Sequence, residues 1–89
     1  MPDWDMLGYV KASEYRKRIL LALRSVNKTP NELRNELDLY ITHISTTLKD
    51  LAKHGLVVCL TPKLRKGRLY SISDSGKELL PFLHSKADT

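Results

Sequence analysis

The side chains with chemistry to offer are cations and small hydroxyls, and they crowd into one stretch. Lys49, Lys53, Lys63, Arg65, Lys66 and Arg68 lie within residues 40–73, opposed by the single acid Asp50, so this stretch carries the whole net charge of +5. Elsewhere the basic and acidic side chains balance. A neutral scaffold with one basic segment suits a polyanionic partner; a lysine-rich solvated surface is the plainer explanation of the same charge. Thr42, Ser45 and Thr46 lie just ahead of Lys49. Their short hydroxyl side chains allow close approach and still offer hydrogen bonds.

Other chemistries lack their residues. Cys59 is the lone cysteine, which excludes an intramolecular disulfide and any cysteine-based zinc site. Buried packing is the expected role of Cys59. His43, His54 and His84 are scattered without paired acids at metal-ligand spacing. No Ser–His–Asp or Cys–His arrangement stands out, and the glycines are isolated rather than gathered into a phosphate loop. The expectation is a protein that is not an enzyme, with no metal and no cofactor.

At 89 residues the chain reads as a single domain over 1–89, with room for one small core. No apolar run exceeds five residues, and one of these, 19–23, is bracketed by Arg18 and Arg24. That is far short of the ~20 residues that cross a bilayer. The opening MPDWDMLGYV has two acids and no basic region, unlike a signal peptide. A cytoplasmic protein is the expectation.

Which elements hold the cations? Residues 1–12 lack a clean period and read as an N-terminal arm packing on the body or on a second subunit. Ser13 is a suitable N-cap for a helix over 14–25, with Tyr15, Ile19, Ala22, Leu23 and Val26 as its core stripe, Leu20 flanking and Leu21 on the opposite face. Thr29–Pro30–Asn31–Glu32 has the form of a capping box with proline at the first helical position, opening a short helix over 30–37. Residues 37–40 read as a tight turn, with Asp38 tolerating a left-handed conformation.

A recognition-type helix follows over about 41–54. Ile41, Ile44, Leu48, Leu51 and Ala52 repeat at helical spacing, and Gly55 ends the run. Beyond Gly55 the period changes to strands over 56–61 and 68–73. Pro62 and Gly67 delimit a basic hairpin tip, and Tyr70 and Ile72 are expected to face inward. Ser73 or Ser75 caps a last helix bearing Leu79, Leu80, Phe82 and Leu83, which Pro81 kinks or ends early. Residues 85–89 read as a frayed tail.

Two helices separated by about four residues suit a helix-turn-helix. The resulting fold class is α+β, mostly α: a winged helix-turn-helix with a three-helix core, a β-hairpin wing and a C-terminal helix. The outer face of helix 41–54 fits a DNA major groove, which admits one α-helix. Tyr40 and His43 lie near its N-terminal end, where such helices read bases, together with Thr42, Ser45 and Thr46. Lys49 and Lys53 lie further along and suit phosphates. Lys63, Arg65, Lys66 and Arg68, on wing 62–68, suit the backbone or the minor groove.

The stretch TPNELRNELDLYITHISTTLKDLAKHGLV, the basic hairpin after it and RLYSISDSGKELL resemble the winged helix-turn-helix of MarR- and ArsR-type transcriptional regulators over about residues 13–83. SISDSGKELLPFL is similar to their passage from wing to last helix. WDMLGYVKASEYRKRILLAL resembles small, mostly archaeal, members of the group. The resemblance sets Tyr40 at the start of the recognition helix, where Ser or Thr is more usual, and Asp38 where the turn often has Gly. It implies DNA contact by residues 41–46, Ile41 included, and backbone contact by the wing. It also implies a homodimer built from the N-terminal arm and the C-terminal helix. The expected function is a sequence-specific regulator of transcription that binds double-stranded DNA. The alternative is an adaptor module on the same fold, motivated by Trp4, Tyr9, Leu21 and the apolar last helix.

Overall fold

The computed structural model of the protein describes residues 3–83. Its opening segment is α1 (Trp4–Lys11), where the sequence suggested only an arm. The Asp3 carboxylate caps it, accepting from the amides of Asp5 at 3.0 Å and Met6 at 3.3 Å. Leu7 and Val10, nearly a turn apart, enter the core. Two buried positions in eight residues, with Gly8 between them, give too short a pattern to stand out in the sequence.

The next helix, α2 (Glu14–Ala22), starts at the expected cap: Ser13 Oγ accepts from the Arg16 amide. It ends three residues before the expected bound at 25. Leu23 departs from helical geometry at φ −90° and ψ 1°, so Val26 is carried off the stripe and is 59% exposed. Because α2 packs against α1, α3 (Pro30–Leu37) and α4 (Ile41–Lys53), it is enclosed on several sides. Leu20 is therefore fully buried rather than flanking, and Leu21 is half-buried against the core. Tyr15, expected inside, is 37% exposed.

Both halves of the capping box on α3 form: Glu32 N–H donates to Thr29 Oγ1 at 3.3 Å, and Thr29 N–H to Glu32 Oε1 at 2.9 Å. Asp38 then turns the chain with φ 54° and ψ 49°, the left-handed conformation expected of it. The Arg18 guanidinium fastens this turn to α2 by donating to the Leu37 carbonyl at 2.8 Å.

α4 buries Ile44, Thr47, Leu48 and Leu51. Ile41 and Ala52, expected in the core, are exposed because the buried arc is centred on Ile44, Leu48 and Leu51 and takes in Thr47 on one side instead. Gly55, at φ 75°, closes α4; its amide donates to Ala52 O and the Leu56 amide to Leu51 O, a Schellman end.

The wing strands β1 (Val57–Cys59) and β2 (Tyr70–Ile72) are shorter than their β-rich sequences. They pair antiparallel, Val57 with Ile72 and Cys59 with Tyr70. Tyr70 and Ile72 face inward as expected, and Val57 joins them while Val58 faces out. Cys59 packs against the edge of the core. On its other side, β2 forms a bridge to Lys28.

Of the two candidate caps for the last helix, Ser73 serves: its Oγ accepts from the Gly76 amide at 3.1 Å and donates to the Gly55 carbonyl at 2.6 Å. α5 (Asp74–Leu79) passes into a 3-10 turn over Leu80–Phe82 where Pro81 intervenes. A single core joins all these elements, from Val10 and Ile19 through Leu33 and Leu48 to Leu79 and Leu83. The expected frayed tail, 85–89, lies outside the described residues.

Candidate nucleic-acid interface

Local chemistry fixes the wing before any partner arrives. The Leu60 amide donates to Leu69 O at 2.7 Å, and the Leu69 amide to Thr61 Oγ1 at 2.9 Å. Pro62 then takes the chain off the sheet, and Leu64 N–H donates back to Thr61 O at 3.1 Å. Gly67 supplies the positive φ of 68° that the return requires. The Arg68 Nε donates to the Leu64 carbonyl, so one cation of the wing also braces it. Lys63, Arg65 and Lys66 are exposed around this frame.

The wing and α4 meet across a groove of about 450 Å³. Ile41, Ser45 and Lys49 line it from α4, and Arg65, Lys66 and Arg68 from the wing. Pro30 and Asn31, in the first turn of α3, complete its floor. No acid among the described residues lines it. Four cations around one cleft raise the local potential for a polyanion, and low-dielectric walls sharpen the effect.

The other predicted residues are distributed around this groove. Thr42 and Thr46 are exposed on α4, and Ser45 is half-buried where the wing approaches. Lys53 is exposed further along α4 and Lys63 on the wing, both outside the groove lining. Tyr40 is the N-cap of α4 and is 79% exposed, with no side-chain capping bond. His43 lies beside it, ring centroids 5.9 Å apart. At about 100° per residue, Ser45 and His43 fall on opposite flanks of α4. The wing therefore borders one flank, and His43 the other.

Four residues of the site and its supports escaped sequence reasoning. Tyr15 packs edge-on against His43, with centroids 4.9 Å apart; its place in an apolar stripe concealed this. Pro30 and Asn31 were visible only as helix-start residues, although a helix N-terminus is itself favourable to anions. His54, just beyond α4, donates from Nδ1 to Asp50 O at 2.8 Å and stacks on Tyr9, with ring centroids 4.0 Å apart. Arg16 covers the Tyr9 ring at 3.9 Å and donates to the Tyr9 carbonyl at 2.8 Å. These contacts moor the far end of α4 to α1.

Within the site's scaffold, one titration is shifted. Glu32 has its carboxyl held below the ordinary glutamate range, first by the hydrogen bond from the Thr29 amide and then by the Thr29 side chain. Among the described residues, no group of three His, Cys, Asp or Glu side chains is arranged to hold a metal ion. No helix among them is long and apolar enough to cross a membrane.

No protein-family model matches the chain, and no curated protein is significantly similar to it in sequence. Solved structures do match. A MarR family transcription regulator superposes with a TM-score of 0.74 at 20% identity, covering 92% of this chain and 54% of that one. NMB1585, a MarR family regulator from Neisseria meningitidis, gives 0.75 at 22% identity, covering 94% and 61%. HlyU from Vibrio cholerae gives 0.71 at 27% identity, covering 94% and 95%. The chain thus spans little more than half the length of the two MarR-family structures and nearly all of HlyU. The fold they share with it is the winged helix-turn-helix of MarR-type regulators.

Proposed function

We propose that this MarR-type winged helix-turn-helix is a sequence-specific regulator of transcription that binds double-stranded DNA. The observation that carries the reading is the acid-free groove between α4 and the wing, where Lys49 faces Arg65, Lys66 and Arg68. A helix laid in a major groove and a basic loop beside it would follow one phosphate backbone. In this account Tyr40, Ile41, Thr42, His43, Ser45 and Thr46 read bases. Lys49, Lys53, Lys63, Arg65, Lys66 and Arg68 hold phosphates. The names of the two MarR-family structures, one a transcription regulator and the other a regulator, support the assignment. A cytoplasmic location, with the DNA, follows from it.

A homodimer belongs to the same proposal. Trp4 of α1 packs edge-on against Phe82 beyond α5, with ring centroids 5.4 Å apart, so both ends of the described chain contribute to one apolar surface. Trp4 remains 59% exposed there. A second copy on that surface would set two recognition helices on successive major grooves, roughly 34 Å apart. The adaptor alternative loses much of its motivation, because Tyr9 and Leu21 are half-buried against this chain's own core.

Selection of bound duplexes from a random DNA pool, with the mass of the protein measured in solution, tests the proposal. The expected result is enrichment of a near-palindromic site with half-sites about 10 base pairs apart, bound by a dimer. Absence of enrichment at low salt would overturn it.

A further inference from the structure

Tyr15 and Tyr40 are each present without the role their position normally explains. Tyr15 falls in the apolar stripe of α2, yet it is neither in the core nor packed against its edge. Tyr40 occupies an N-cap position but makes no capping bond through its side chain, where Ser, Thr, Asp or Asn would satisfy an amide. What both rings do touch is His43. Tyr15 meets the imidazole at 4.9 Å with planes inclined by 63°, and Tyr40 meets it at 5.9 Å and 66°. Edge-to-face geometry at such distances is the favoured arrangement of ring pairs.

An exposed histidine on a helix ordinarily samples several rotamers, and ordering it on contact with a ligand costs entropy. Here one ring from the neighbouring helix α2 and one from the start of α4 restrict the imidazole in advance. His43 lies on the flank of α4 opposite the wing. There it has no hairpin to steady it, and the two tyrosines take that part.

Resting on the DNA-binding reading above, we propose that Tyr15 is a positioning residue for base recognition: it holds the His43 imidazole in the orientation that reads one base pair, with Tyr40 as the second wall. α2, normally only a support for the helix-turn-helix, thereby sets specificity at one position of the site.

The test compares Tyr15→Phe, Tyr15→Leu, His43→Ala and the Tyr15→Leu/His43→Ala double variant on the duplex selected by the wild type and on its single-base variants. Tyr15→Leu is expected to lower discrimination about 3- to 10-fold at one base pair, the one that His43→Ala also relaxes. Tyr15→Phe keeps the ring and retains wild-type preference. The double variant loses no more than His43→Ala alone. In the free protein, the ring-current shifts of the His43 imidazole protons persist in Tyr15→Phe and shrink in Tyr15→Leu to the part that Tyr40 supplies.

Unchanged preference in Tyr15→Leu overturns the inference, as does an additive double variant. Weakened binding by Tyr15→Phe also overturns it, since a direct contact through the phenol would then be at work. In each of those cases the wild type still binds duplex, so the DNA-binding reading stands. A wild type that binds no duplex removes both.

Discussion

Lys28 and Tyr70 exchange both backbone hydrogen bonds: Lys28 N–H donates to Tyr70 O at 3.1 Å, and Tyr70 N–H donates to Lys28 O at 2.9 Å. Lys28 immediately precedes the capping box of α3, and Tyr70 opens the return strand of the wing. The helix-turn-helix and the wing are therefore joined through main-chain bonds, which substitutions of side chains leave in place. The Lys28 ammonium is also committed, bridging to Glu36 of α3 at 2.6 Å. This clamp ties the base of the wing to the start of α3.

Gly76 lies where the last helix presses on the wing. A Cβ there would stand 2.4 Å from Leu56 O and 2.7 Å from Ile72 Cγ1. Gly76→Ala is expected to lose about 1–3 kcal/mol of stability from overpacking, although alanine is the better helix former by about 1 kcal/mol. Urea unfolding measures it, and an unchanged or higher midpoint contradicts the packing described.

Asp38 holds a left-handed conformation that costs a residue with a Cβ more than it costs glycine. Asp38→Gly removes that strain but adds freedom to the unfolded chain. The net gain expected is about 0.5 kcal/mol, read as a small rise in Tm. A clear loss would show that the Asp38 side chain contributes to the turn.

The capping box gives a pH dependence whose sign is fixed. The Glu32 carboxyl titrates below its unfolded range because the Thr29 amide donates to it. Its contribution is present above the unfolded pKa and is lost as pH falls through the folded one. Wild-type stability should therefore decline on acidification through the lower part of the carboxylate range. Glu32→Gln, which keeps an acceptor without the titration, should lack that part of the decline. Thr29→Ala should cost about 1 kcal/mol at neutral pH. Identical acid profiles for wild type and Glu32→Gln would contradict the assignment.

Much of this fold is legible in local chemistry. Thr29, Pro30 and Glu32 announce a helix start, Gly55 announces an end, and Ile44, Leu48 and Leu51 mark a buried face. Each signal lies within a few residues of its effect. What is not legible depends on distant partners. The Lys28–Tyr70 bridge joins backbone groups, which carry no sequence signature. Leu20 is buried because three other helices surround α2, and Val26 is exposed because the helix ends before reaching it. The site divides in the same way. The cations of α4 and the wing stand out by charge, whereas Tyr15 reaches His43 only through the packing of α2 on α4.

Two sets of substitutions separate holding from reading. Arg65→Ala with Lys66→Ala is expected to weaken binding to all duplexes alike. Thr42→Ala, His43→Ala or Thr46→Ala is expected to change which sequence is preferred, by about 1–3 kcal/mol at a position read directly. Binding measured on a panel of single-base variants distinguishes them. Indistinguishable behaviour of the two sets would contradict the division of roles along α4 and the wing.

The joint grip of α4 and the wing on a duplex is tested most directly by affinity measured across a range of salt concentrations. With about six phosphates neutralised, the slope of log affinity against log salt is predicted to be near −5, and Arg65→Ala with Lys66→Ala should make it shallower by roughly two. A flat dependence, or a slope untouched by those substitutions, would contradict it.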